Sequence, residues 1–145
     1  MKNFELIYAS RAKKKFDTEQ ILKLATESAS NNAKFGVTGL LIHHENYFIQ
    51  LLEGDQFILN GLYLRICQDR RHFDCRLLSY DAISQKSFRN WSMELILASG
   101  GLIKEKFRDY FPDSFSPFSL SPDNSKKLMR DFAEYKKEKN ELAYS

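Results

Sequence analysis

Residues 37–53 read VTGLLIHHENYFIQLLE, two apolar runs separated by a polar tetrapeptide. Val37 to Ile42 is nearly continuous in apolar character and contains Gly39, the pattern of a central strand covered on both faces. His43 to Asn46 supplies a turn, with both histidines expected in solvent, and Tyr47 to Glu53 returns as the second arm of a hairpin. In that arm Phe48, Gln50 and Leu52 share one face, while Tyr47, Ile49 and Leu51 make the other face apolar as well. Gln50 is therefore an amide between two large apolar neighbours. Buried unpaired it would cost about 1–3 kcal/mol, so unless that face is wet at a sheet edge, something polar must meet it.

Working outward, Phe4 to Ala9 alternates as a strand, with Phe4, Leu6 and Tyr8 on one face. A helix follows: Asp17 can cap it, Gln20 sits where a capping box wants it, and Phe16 can staple onto Ile21. It should end close to Asn32 or Ala33, with Gly36 closing the connection. Beyond the hairpin, Gly54 and Asp55 stop the strand and cap a second helix running to about Asp69. Arg76 to Ile83 is a fourth strand. Trp91 to Leu97 is a fifth, with Trp91, Met93, Leu95 and Leu97 on one face. This order predicts an α+β, ferredoxin-like plan: a mixed five-stranded sheet with two helices on one face. Gly100 and Gly101 mark a hinge, so residues 1–98 form one unit and 99–145 a helical extension. The extension should contain a helix near Leu102 to Tyr110, a loop from Phe111 to Leu120, and a last helix capped by Ser121 with Pro122 at its first position. The narrow stripe of Leu128, Met129, Phe132 and Tyr135 suits docking on the sheet or on another chain.

Composition bounds the function. With 145 residues, 43% apolar and 14% aromatic, the chain can bury a core or hold a planar ligand. A net charge of +3 does not imply nucleic acid. The runs Lys13 to Lys15 and Lys136 to Lys139 are expected as solvated surface rather than a groove. Cys67 and Cys75 make neither a disulfide framework nor a zinc site. No signal peptide, spanning run or lipidation motif is present, so the expected location is the cytoplasm.

Several polar side chains fall on apolar faces. Ser28 and Asn32 share a helix face with Ile21 and Ala25 and are delivered inward near the helix end, where Asn32 needs partners in backbone or in a ligand. Tyr8 ends a buried strand face with a hydroxyl to satisfy. On the second helix Arg65 and Asp69 lie at i, i+4, either as a surface ion pair or as groups facing the same gap. Together they describe a slot for a flat ligand with a donor- and acceptor-rich edge. Turnover chemistry is missing: there is no phosphate loop, metal-ligand cluster or nucleophile–base pair. An enzyme on this fold, such as a small phosphatase or flavin reductase, is disfavoured accordingly. A nucleic-acid module is disfavoured because helices cover the sheet aromatics.

The chain resembles BLUF domains, blue-light sensors that use flavin. The resemblance rests on LIYAS (Leu6 to Ser10), NNAKFGVTGLL (Asn31 to Leu41), FIQLLEG (Phe48 to Gly54), RICQDRRH (Arg65 to His72) and FRNWSM (Phe88 to Met93), in the family's order. It implies that residues 1–98 hold oxidised FAD or FMN non-covalently between the two helices. Asn32 matches the asparagine on the polar ring edge, Asn31 and Ser28 match its pocket neighbours, and Arg65 and Asp69 correspond to contacts on the pyrimidine and ribityl side. Tyr8 matches the electron donor and Gln50 the amide between that tyrosine and the flavin. The implied mechanism is a hydrogen-bond switch without turnover: an electron and proton leave Tyr8, and the Gln50 amide ends rotated or tautomerised. Trp91 and Met93 match strand residues whose implied role is to relay this change to the fifth strand, with filling the core as the alternative. The implied partners are further copies of the chain and a downstream regulator protein, with no nucleic acid or membrane.

Overall fold

The computed structural model describes residues 2–97 and 101–143. In chain order the elements are β1 (Asn3–Ala12), α1 (Thr18–Lys34), β2 (Thr38–His44), β3 (Tyr47–Asp55), α2 (Gln56–Gln68), β4 (His72–Ile83), β5 (Glu94–Leu97), α3 (Gly101–Tyr110) and α4 (Pro122–Ala143). The five strands form one sheet in the order β4-β1-β3-β2-β5. The first four run antiparallel, and β5 is added parallel to β2. This is the predicted ferredoxin-like plan with one extra strand.

Local signals start the helices where expected. Asp17 accepts from the Gln20 amide at 2.8 Å while Gln20 Oε1 accepts from the Asp17 amide at 3.0 Å, a complete capping box. Gly36 follows α1 at φ +67°, a left-handed conformation that favours glycine. Asp55 Oδ2 accepts from the Phe57 and Ile58 amides and opens α2. Ser121 Oγ accepts from the Asn124 amide ahead of Pro122 and α4.

Two cores flank the sheet. On one face Leu6, Leu41 and Leu52 pack under Ile21 of α1 and Leu59 of α2. On the other, Ile7, Leu40 and Leu51 pack under Phe107 of α3 and Leu128 and Phe132 of α4. The stripe on α4 therefore docks on this chain's own sheet, and the architecture has three layers. The hinge expected at Gly100 and the boundary at 98/99 lie outside the described residues, except that Gly101 already belongs to α3.

Four local expectations are corrected. β1 and β4 pair as far as Ala12 and His72, so β4 begins four residues before Arg76. β5 begins at Glu94 rather than Trp91. Residues 91–93 are instead irregular, held where Trp91 O accepts from the Gly39 amide at 2.8 Å. Strand alternation is lost there, so Trp91 stacks on Phe88 in the α4-side core, while Met93 joins the α1/α2-side core. Finally, His43 and His44 belong to β2 and are half-covered: His43 lies against Phe48, and His44 stacks on Phe107 of α3 at 4.9 Å.

Candidate functional site

A cavity of about 290 Å³ lies between α1 and α2 over β1, β2 and β3. Tyr8, Leu41, Phe48, Gln50 and Leu52 form its floor. Helix α1 contributes Leu24, Ser28, Asn31 and Asn32, while α2 and its exit contribute Leu62, Arg65, Ile66 and Asp69. The seven positions expected to contact a ligand thus come together on one cavity. Trp91 and Met93 lie outside its lining.

Tyr8 and Gln50 meet because β1 and β3 pair in a register that sets them directly opposite, on the same face. The buried Tyr8 hydroxyl donates to Gln50 Oε1. Gln50 Nε2 donates in turn to Met93 Sδ at 3.4 Å. Burial pushes the Tyr8 hydroxyl well above the usual tyrosine range, with nearby thiols, Tyr63 and Asp69 adding smaller effects of the same sign. Tyr8 therefore enters any chemistry as the neutral phenol.

Asn32 is buried, and its Nδ2 donates to the Ser92 carbonyl at 2.9 Å. Its partner is thus backbone across the fold rather than at its own helix end. Asn32 Oδ1 accepts no bond among the described residues and is left at the cavity wall. Arg65 and Asp69 do not pair. Asp69 is the C-cap of α2 with extended backbone, so its side chain leaves the helical spacing. It is held by Arg71 instead, at 3.0 Å from Nε and 2.7 Å from Nη2, and Arg71 reaches Glu27 of α1 at 3.1 Å. The hydrogen bonds from Arg71 hold the Asp69 carboxyl below the usual carboxylate range. Arg65 makes no ion pair among the described residues and keeps its charge on the cavity.

Two polar lining residues escaped sequence reasoning, Arg71 and His72, as did the apolar Leu24. His72 is buried, with Nδ1 2.7 Å from Ser10 Oγ and Nε2 2.5 Å from the Ile66 carbonyl. Its ring stands edge-on to Tyr8 and Phe48, at 6.4 Å from each. No local signal marks Arg71 or His72: the β1/β4 pairing carries register shifts, so alternation in β4 does not run back to His72, which pairs with Ala12.

The family described as BLUF, sensors of blue light using FAD, matches residues 4–94. The blue light- and temperature-regulated antirepressor BluF of Escherichia coli (strain K12) is 32% identical over 90 residues, 62% of this chain and 22% of that protein. Photoactivated adenylate cyclase subunit beta of Euglena gracilis is 33% identical over 86 residues, 59% of this chain and 10% of that protein. The chain therefore spans about a fifth of the first relative and about a tenth of the second. Among solved structures, BlsA in its photo-activated state gives a TM-score of 0.80 at 29% identity, covering 89% of this chain and 93% of that one. BlrB, a BLUF protein in its dark state, gives 0.75 at 25% identity, covering 92% and 97%.

Proposed function

The chain belongs to the BLUF family, sensors of blue light using FAD, and from that premise we propose that Tyr8 and Gln50 are its photochemical switch, with Ser28, Asn31, Asn32, Arg65 and Asp69 holding the flavin. The observation that carries this reading is the chain of bonds from the Tyr8 hydroxyl through the Gln50 amide to Met93 Sδ, on the floor of the cavity. The cavity fits the group. Leu24, Leu62 and Ile66 offer apolar walls to a flat ring, while Asn32 Oδ1, the Gln50 amide and the Arg65 guanidinium offer a polar edge.

A bound oxidised flavin, FAD or FMN, supplies absorption of blue light and, once excited, a strong demand for one electron. Tyr8 is the donor on the protein side. Because its hydroxyl is neutral and already bonded to Gln50 Oε1, its proton leaves along that bond as its ring loses an electron. When the electron and proton return to Tyr8, the Gln50 amide is left rotated, which exchanges the groups facing Tyr8 and Met93, or tautomerised, which keeps both atoms in place and turns the oxygen from an acceptor into a donor. Met93 immediately precedes β5, and Trp91, two residues earlier, packs on the α4 side of the sheet. The change leaves by this segment and the C-terminal helices for a partner protein or a second copy of the chain, and the protein acts as a sensor without turnover. Among the described residues no helix is long and apolar enough to cross a membrane.

A light-minus-dark absorption spectrum of the purified protein tests this. The expected result is a yellow protein with a small, reversible red shift, and a Gln50→Leu variant that stays yellow without the shift. A colourless protein that rejects added FAD and FMN would overturn the reading.

A further inference from the structure

The chain's two thiols come together beside Tyr8. Cys67 lies in the last turn of α2, and Cys75 lies near the start of β4, on the side that meets this helix. Each is within hydrogen-bonding reach of the other. Cys67 is also hydrogen-bonded to Tyr63, one helical turn back, and Cys75 Sγ stands 3.7 Å from His72 Nε2. Tyr63 and His72 in turn flank the Tyr8 ring, with centroids at 5.4 and 6.4 Å from it. Cys67 is exposed, Cys75 is half-buried, and neither is in a disulfide.

We propose that Cys67 and Cys75 form a redox-modification site, which hydrogen peroxide converts to a reversible disulfide closing a ring over residues 67–75, and that this bond slows recovery in the dark. The site stands on the placement of the thiols, while its effect on the light response rests on the reading of Tyr8 and Gln50 as the switch. Exposed Cys67 meets the oxidant first. Its sulfur attacks one peroxide oxygen, the O–O bond breaks, and Cys67 becomes a sulfenic acid as the other oxygen leaves as water. The Cys75 sulfur then attacks the Cys67 sulfur. The S–S bond forms, the S–O bond breaks, and the departing hydroxide takes the Cys75 proton and leaves as a second water. Two thiols have given up two electrons to one peroxide, and a small external dithiol reverses the change by exchange. Burial, with the neighbouring Cys67, pushes the Cys75 thiol up to about 12. Held protonated, Cys75 is suited to resolve the sulfenic acid rather than to attack first, and no stabilised thiolate there favours the reduced pair. The ring over residues 67–75 contains Asp69, Arg71 and His72, all of which line the cavity. Closing it takes Cys67 from Tyr63 and Cys75 from His72, the two rings beside Tyr8, and pins the end of α2 to β4. A tied rim makes the local opening that lets the Gln50 amide return more costly, so the lit state lasts longer.

The test treats the flavin-loaded full chain with hydrogen peroxide, then with dithiothreitol. Peroxide should abolish both titratable thiols and leave a monomer lighter by two hydrogens, with a Cys67–Cys75 link in its peptide map; dithiothreitol should restore both thiols. Dark recovery after a light pulse should slow roughly threefold or more on oxidation and return on reduction. In Cys67→Ser and Cys75→Ser the light-induced shift should remain while peroxide leaves the recovery rate unchanged. Thiols that survive peroxide, or a disulfide between copies of the chain, overturn the proposal and leave the sensor reading standing. So does a Cys67–Cys75 bond that forms without changing recovery. A slowing that persists in both serine variants traces to oxidation elsewhere, Met93 included, and overturns it as well. A chain that takes up no flavin overturns the sensor reading, and the coupling of the thiols to it.

Discussion

Replacing Gln50 with leucine and Tyr8 with phenylalanine, singly and together, weighs the hydrogen bond on which the switch reading depends. Both residues are almost fully buried, at 5% and 4% exposure, so neither can turn to water for a substitute partner. Tyr8→Phe leaves Gln50 Oε1 buried without its donor, a loss of about 1–3 kcal/mol. Gln50→Leu leaves the Tyr8 hydroxyl without its acceptor at a similar cost, reduced by about 1 kcal/mol through the added apolar burial. In the double variant neither orphan remains, so it should be less destabilised than the sum of the singles by about 1–2 kcal/mol. The assay is urea unfolding in the dark at one fixed excess of flavin, since ligand binding itself adds stability that depends on concentration. Additivity within about 0.5 kcal/mol would mean the two groups do not interact in solution, and the reasoning from their register would fail.

Met93→Leu conserves volume and should cost less than about 1.5 kcal/mol, yet it removes the acceptor that holds Gln50 Nε2. Flavin content should be unchanged and recovery in the dark slower after a light pulse, read by absorption. Gly39→Ala places a methyl against the Leu51 carbonyl oxygen and 3.2 Å from Met93 Cε. It should lower stability by about 1–3 kcal/mol in urea titration. Burial, opposed by Arg130, raises the Glu5 carboxyl above its ordinary 4.5. A raised carboxyl favours the folded state when protonated, so its penalty is absent below pH 4.5 and grows as pH climbs through the folded value. Glu5→Gln should therefore raise the melting temperature at neutral pH, with the gain vanishing below that point.

What could be seen from the chain depended on the range of the interaction. The hairpin around Gln50 and the caps at Asp17, Asp55 and Ser121 are local, and alternation or a single side chain specifies each. The pairing of Tyr8 with Gln50 is not local. Spacing places both on inward faces, but their meeting needs the β1/β3 register, which a 42-residue separation hides. Arg71 and His72 stood in a polar connection with no period, where solvent is the ordinary expectation; long-range pairing with Ala12 buries His72. Trp91 was placed beside Met93 by strict alternation, which requires extended backbone. The tether from the Gly39 amide to Trp91 O and that from Asn32 to Ser92 O keep this segment out of the strand. His43 and His44 lost their expected exposure to partners far away in sequence, Phe16 and Phe107.

The same three residues, Trp91 to Met93, would be the route from the proposed switch to the far side of the sheet. Three bonds hold them: Gly39 to Trp91 O, Asn32 to Ser92 O, and Gln50 to Met93 Sδ. The first two are ordinary amide–carbonyl bonds at 2.8 and 2.9 Å, while the third ends on a thioether, a weak acceptor. If the bonds are graded in this way, the contact given up first is the one attached to the proposed switch, and Ser92 stays pinned to the cavity wall by Asn32. Losing it would free Met93 on the α1/α2 side while Trp91 remains packed against the α4 side. The segment could then pivot about its fixed middle. A bias of about 1 kcal/mol changes such an equilibrium roughly fivefold, acting on an α4 that Leu128, Met129 and Phe132 pack against the sheet and that Lys126 ties to Asp81 of β4. On this reading the weakness of the Gln50–Met93 bond is what suits it to signalling, and Met93→Leu should leave the cavity filled while altering the response.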